Sequence, residues 1–152
     1  MSVPPFVREL SLPVLAAPMF LTSGPELVIA ACNAGIIGGF PTLNQRTTAG
    51  YAHWLQEIAA ARESDVVART VPYAVNLVVH RTNERLNEDL KVTVAHRVPI
   101  VITSLGAAQE VIAAVHEYGG LVWHDVVTVR LAEKVLAAGV DGIIAVSAGA
   151  GG

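Results

Sequence analysis

The sequence predicts an α/β fold, a TIM-type (β/α)8 barrel with about six βα units present, and three observations carry that expectation. Apolar, β-rich runs begin near Val14, Ile36, Tyr73, Ile100, Leu121 and Gly142, with a helical pattern between each pair. Such alternation specifies a parallel sheet with right-handed crossovers. Only 15% of the 152 residues are charged and 53% are hydrophobic, as suits strands sandwiched by helices. Finally, glycines and polar residues accompany several strand ends. An open doubly wound sheet, the alternative closure, usually carries one dominant glycine loop after its first strand. Here that strand ends Ala16-Ala17-Pro18-Met19, and the spread of glycines fits a barrel whose site draws on all its βα loops. A whole barrel takes eight strands and about 250 residues, so the barrel is expected to be incomplete in this chain. No linker or composition shift interrupts the alternation, and residues 1–152 are expected to form a single domain.

Taken in order, Leu12 to Met19 reads as the first strand. Ser23-Gly24-Pro25-Glu26 then starts a helix, with Ser23 as cap, Pro25 in the first turn and Glu26 favourable to the dipole. The helix runs to about Ala34, Gly35 closes it, and Ile36 to Phe40 is the second strand. Thr47 or Thr48 caps a helix whose Tyr51, Trp54, Leu55 and Ile58 share one apolar face. Glu63 to Thr70 reads as a polar connection.

Tyr73 to Val78 is the third strand, unusual in carrying Asn76 within an apolar run. Asn83 to Ala95 is a polar helix with Leu86, Leu90 and Val94 on one stripe. Pro99 to Thr103 is the fourth strand, followed by a helix with Ala108, Val111, Ile112 and Val115 inward. Gly119-Gly120 leads to the fifth strand, Leu121 to Asp125. Thr128 caps a helix with Leu131, Val135 and Ala138 inward, and Gly139 closes it. Gly142 to Val146 is expected to be a strand covered on both faces, and Ala148 to Gly152 is a loop with no side chain able to do chemistry. Such a loop lets a flat or anionic ligand approach the backbone closely.

Several functions are disfavoured at this level. A net charge of −3 supplies no basic surplus to neutralise phosphates, so no nucleic-acid partner is expected. The single cysteine, Cys32, permits no internal disulfide and reads as a small buried apolar residue. Pro4, Pro5, Pro13 and Pro18 interrupt the N-terminal apolar stretch, which therefore does not read as a secretory core, and no run reaches the roughly 18 residues of a membrane span. The expectation is a cytoplasmic protein. No histidines stand at i, i+4, so no metal site is expected.

The residues with chemistry near strand ends are Asn76, His80, His124 and Asp125. Neighbours in a strand point to opposite faces, so one of His124 and Asp125 should face the barrel interior and the other the helices. His53, His96 and His116 fall on helices or their ends and read as surface residues.

Ala16-Ala17-Pro18-Met19, Val75-Asn76-Leu77, Ile102-Thr103-Ser104-Leu105-Gly106, and Ala138-Gly139-Val140-Asp141-Gly142 leading to Ala148-Gly149-Ala150-Gly151-Gly152 together resemble the nitronate monooxygenases, formerly 2-nitropropane dioxygenases. The related enoyl-acyl-carrier-protein reductases II share most of these marks. The resemblance implies an FMN-dependent TIM-barrel oxidoreductase oxidising alkyl nitronates with O2, or alternatively one reducing an enoyl thioester with NAD(P)H. It implies that Ala17, Pro18 and Met19 lie against the flavin, that Asn76 hydrogen-bonds the isoalloxazine edge, and that Gly151 and Gly152 pass close to the cofactor. His124 and Asp125 occupy a region where the family often carries a flavin-contacting residue. In the family a histidine, the proposed base, follows the glycine loop at once. The sequence reaches Gly152, so no catalytic residue is assigned within it. Self-association, or a complementing barrel half, is expected to supply the missing strands; a catalytically silent barrel fragment is the rival from another class.

Overall fold

The computed structural model describes residues 4–106 and 109–149. Its strands follow chain order, β1 (Leu15–Ala16), β2 (Ile37–Pro41), β3 (Ala74–Val78), β4 (Ile100–Ser104), β5 (Leu121–Val126) and β6 (Gly142–Ala145), without the order reversal of a doubly wound sheet. The registered pairs β1–β2, β4–β5 and β5–β6 are all parallel. The chain forms two compact units, Met1–Val75 and Asn76–Gly152, that divide inside β3.

In the first unit, α1 (Pro25–Asn33) packs on β2, and α2 (Thr48–Glu63) packs on α1. The contact with β2 is close: a Cβ on Gly38 would stand 2.7 Å from Val28 Cα and 2.9 Å from its carbonyl oxygen. Thr47 caps α2, its hydroxyl accepting from Gly50 N at 3.0 Å. Tyr51, Leu55 and Ile58 are fully buried, as their spacing predicts, and Phe40 meets both Tyr51 and Trp54 edge to face.

Two expectations fail here. Ser23 is not the cap of α1; Gly24 holds that position without a side-chain bond, because the Ser23 hydroxyl is engaged by the preceding loop. The stretch from Glu63 to Thr70 is not merely a connection. It contains α3 (Val66–Thr70), capped by Asp65, whose carboxylate accepts from Val67 N at 2.8 Å and Ala68 N at 2.9 Å. Arg62 donates to the carbonyls of Ala68, Arg69 and Val71 at 3.0, 3.2 and 2.6 Å, satisfying orphan acceptors at the helix end. Its guanidinium also lies 5.2 Å from the Tyr73 ring centroid, and burial pushes the Tyr73 phenol up to about 12.

In the second unit, α4 (Leu86–Ala95), α5 (Gln109–Glu117) and α6 (Val129–Ala137) alternate with the strands. The stripe expected on α4 is turned. Asp89 and Thr93 are fully buried, whereas Leu86, Leu90 and Val94 are only half-buried. The helix satisfies these polar groups itself: Arg85 Nη2 donates to both Asp89 oxygens at 3.0 and 2.9 Å, and Thr93 Oγ1 donates to the Asp89 carbonyl at 2.7 Å. On α5, Val111, Ile112 and Val115 are buried as expected, while Ala108 lies outside the described residues. On α6 only Val135 is buried. Gly35 and Gly139, the predicted helix closers, take the left-handed φ values of 77° and 99°.

The expectation that β6 is covered on both faces also fails. Ile143 is 43% exposed, since β6 is last in the strand order and α6 is the helix packed on it among the described residues.

Candidate functional site

The polar side chains of Asn76, Ser104 and Asp125 on β3, β4 and β5 form one hydrogen-bonded row. Ser104 and Asp125 are level, because β4 and β5 pair in register with Thr103 opposite His124. Asn76 on β3 donates its amide to the Ile102 carbonyl at 3.1 Å and to Ser104 Oγ at 2.6 Å. Ser104 then donates its only hydroxyl proton to Asp125 Oδ2 at 2.6 Å. Both amide hydrogens of Asn76 are therefore spent. Its Oδ1 takes no hydrogen bond among the described residues, so the row offers a ligand an acceptor at Asn76. The Ile102 carbonyl and Ser104 Oγ, whose own proton goes to Asp125, together set which end of the amide is nitrogen.

His124 is on the other face of the strand. It alternates with Asp125 and shares its face with Val126, which lines a groove with Val129 and Ala132 of α6. His124 is 0% exposed. Thr103 Oγ1 lies 2.6 Å from its Nδ1 and donates to the Trp123 carbonyl at 3.2 Å, while Nε2 has no partner among the described residues. This geometry puts Asp125, not His124, in the row with Ser104.

Burial pushes the His124 imidazolium pKa below its ordinary value of 6.5, against a smaller upward pull from Asp125. The folded protein thus holds a neutral imidazole that the unfolded chain protonates near pH 6.5. Its contribution to stability is complete above that pH and is lost as the pH falls through the lowered folded value, by up to about 1.4 kcal/mol per pH unit. Urea midpoints measured at pH 7.5 and 5.5 should fall for the wild type, and His124→Leu should flatten that fall; an unchanged slope would contradict the assignment.

In the first unit, the loop after β1 is held by Asn44, which the sequence did not identify, and by Ser23, which it offered as a helix cap. Ser23 Oγ accepts from Met19 N at 2.9 Å and donates to the Ala17 carbonyl at 3.5 Å. Asn44 donates to the carbonyls of Met19 and Ser23 at 2.9 and 2.8 Å and accepts from Leu21 N at 3.0 Å. Pro18 packs over β2, where a Cβ on Gly39 would stand 3.2 Å from its ring. Ala17 is exposed, and Met19, Phe20 and Leu21 are 44%, 71% and 80% exposed on this braced backbone. Leu21 has φ 59°, and Leu105, in the loop after β4, has φ 65°. Each left-handed leucine costs about 1 kcal/mol. Asn44→Ala should cost about 1–2 kcal/mol and speed proteolysis within residues 19–22; cleavage at the wild-type rate would contradict the brace.

Gly151 and Gly152 lie outside the described residues. Of the same loop, Ala148 and Gly149 form an exposed turn. His80 is exposed, with Nδ1 2.9 Å from Thr82 Oγ1. His116 pairs with Asp141 at 2.8 Å and forms no part of the row. No group of three or more potential metal ligands occurs among the described residues. Nor, among them, is any helix long and apolar enough to cross a membrane.

No protein-family model and no curated protein matches the sequence. Solved structures do match. The chain resembles the nitroalkane oxidase of Streptomyces ansochromogenes with a TM-score of 0.82 and 24% identity, over 96% of this chain and 49% of that one. It resembles FabK from Thermotoga maritima with a TM-score of 0.78 and 24% identity, over 95% of this chain and 44% of that one. The fold is that of an incomplete TIM barrel. A mandelate oxidase variant bearing a C4a-OH-FMN adduct matches more distantly, with a TM-score of 0.62 and 17% identity over 88% of this chain and 48% of that one. The chain spans less than half the length of each of these structures.

Proposed function

We propose that this chain carries flavin-binding residues of an FMN-dependent (β/α)-barrel oxidoreductase that oxidises alkyl nitronates with O2, in a cytoplasmic setting. The observation that carries the reading is the row Asn76–Ser104–Asp125 across β3, β4 and β5, which reaches the C-terminal residue of β4, the end at which barrel enzymes place their chemistry. The row fits a flavin: Asn76 Oδ1 is an acceptor without a partner among the described residues, and the isoalloxazine edge presents an imide N–H. Likeness to a nitroalkane oxidase, together with an FMN adduct in a mandelate oxidase variant, supports the cofactor and substrate class.

When bound, FMN supplies the electron acceptor that no protein side chain provides. The chain's share is to bind and orient. Asn76 would hold the imide edge, Asp125 would act behind it, and Ala17, Pro18 and Met19 of the first unit remain proposed cofactor contacts. Gly151 and Gly152 are proposed contacts on the sequence resemblance alone.

Likeness to FabK at the same identity supports a second reading, the reduction of an enoyl thioester with NAD(P)H. Anaerobic mixing of the FMN-loaded protein with propyl-2-nitronate, and separately with NADH or NADPH, separates the two. Bleaching of the flavin band by the nitronate alone is the expected result. Bleaching by the nicotinamide alone would favour the second reading, and bleaching by neither would overturn both.

The same reading assigns a second chain to the uncovered side of β6, where Ile143 is 43% exposed. Sedimentation at micromolar concentration should show association; a stable monomer would count against it.

A further inference from the structure

Resting on the flavin reading of the site, we infer that Ser104 and Asp125 are positioning residues that fix Asn76 as a hydrogen-bond acceptor and so select a ligand whose edge presents an N–H donor. An asparagine amide can ordinarily meet a ligand with either end. Here the choice is removed in two steps. Ile102 O and Ser104 Oγ, at 3.1 and 2.6 Å, occupy both amide hydrogens. Ser104 can accept from Asn76 only while its own proton points elsewhere, and Asp125 Oδ2, at 2.6 Å, takes that proton. The carboxylate is acceptor-only when ionised, so it cannot reverse the chain's direction.

The sense of donation therefore runs from Asn76 through Ser104 to Asp125, and the remaining lone pairs of Asn76 Oδ1 are left for a ligand. Asn76 is 9% exposed, so an occupant that brought only acceptors to this oxygen would lose hydration there without compensation. An imide N–H, such as N3–H of FMN, satisfies it. Asp125 on this account acts through Ser104 rather than by touching the ring, and the sequence motif around Ser104 gains a role that its position alone did not assign.

The test uses FMN labelled with 15N at N3, bound to the purified chain and observed by proton–nitrogen correlation. Wild type should show a bound N3–H cross-peak protected from solvent exchange. In Ser104→Ala the Asn76 amide nitrogen keeps only the Ile102 carbonyl as anchor, so its orientation is no longer held at both hydrogens, the protected signal should be lost to exchange and FMN affinity should fall about three- to tenfold. Ser104→Thr keeps the hydroxyl and should restore both. Asp125→Ala, which leaves Ser104 free to donate towards Asn76, should behave like Ser104→Ala and serves if that variant fails to fold. A bound flavin lacking a protected N3–H in wild type would overturn the inference and leave the flavin reading standing. So would a protected signal that survives both alanine variants. Failure of the wild type to bind FMN would overturn the flavin reading, and the inference with it.

Discussion

Asn76→Ala should lower FMN affinity at least about tenfold and lower stability by about 1–3 kcal/mol. The two losses have separate causes. Stability falls because the Ile102 carbonyl and Ser104 Oγ lose the amide that now satisfies them at 3.1 and 2.6 Å, and a buried acceptor left bare costs more than the bond contributed. Affinity falls because the ligand-facing oxygen is gone and its neighbours are free to reorient. Urea titration and FMN fluorescence quenching measure them independently. An alanine variant that binds FMN within twofold of wild type would remove Asn76 from the site, whatever its stability.

Gly38→Ala is the substitution expected to damage the first unit most. Its Cβ would fall 2.7 Å from Val28 Cα, 2.9 Å from Val28 O and 3.1 Å from Ala31 Cβ. The two nearest atoms are backbone, so no rotamer change relieves the overlap, and α1 must lift from β2. Overpacking of this kind costs about 1–3 kcal/mol, and here it also loosens Val28 and Cys32, both fully buried. Chemical denaturation should show a lower unfolding free energy; a value within about 0.5 kcal/mol of wild type, the size of a small surface effect, would mean that the helix is not seated as described.

The order of strands and helices was legible because each buried run has its own period. Tyr51, Leu55 and Ile58 recur at helical spacing and are all fully buried. Asn76 stood out for the opposite reason, a polar residue inside an apolar strand, and it proved to begin the row. What the sequence concealed depends on partners distant along the chain. Asn44 reaches carbonyls 25 and 21 residues away, and nothing local marks it. Ser23 looked like a cap because the local pattern Ser-Gly-Pro-Glu is a capping pattern, but its hydroxyl was taken by Met19 N at 2.9 Å. The α4 stripe turned because Arg85 pairs with the buried Asp89 carboxylate and the buried Thr93 hydroxyl donates to the Asp89 carbonyl, pairings that hydrophobic periodicity does not register. For His124 and Asp125, alternation correctly put them on opposite faces, but only the register of β5 with β4 decided which one joined Ser104.

The most direct test of the account is a titration of the purified chain with FMN, followed by visible absorbance and flavin fluorescence. Saturable binding, with a structured shift of the flavin bands and quenched emission that both weaken in Asn76→Ala, is the result expected if the row is a flavin site. A free-flavin spectrum that persists as FMN is raised to millimolar concentration would contradict it.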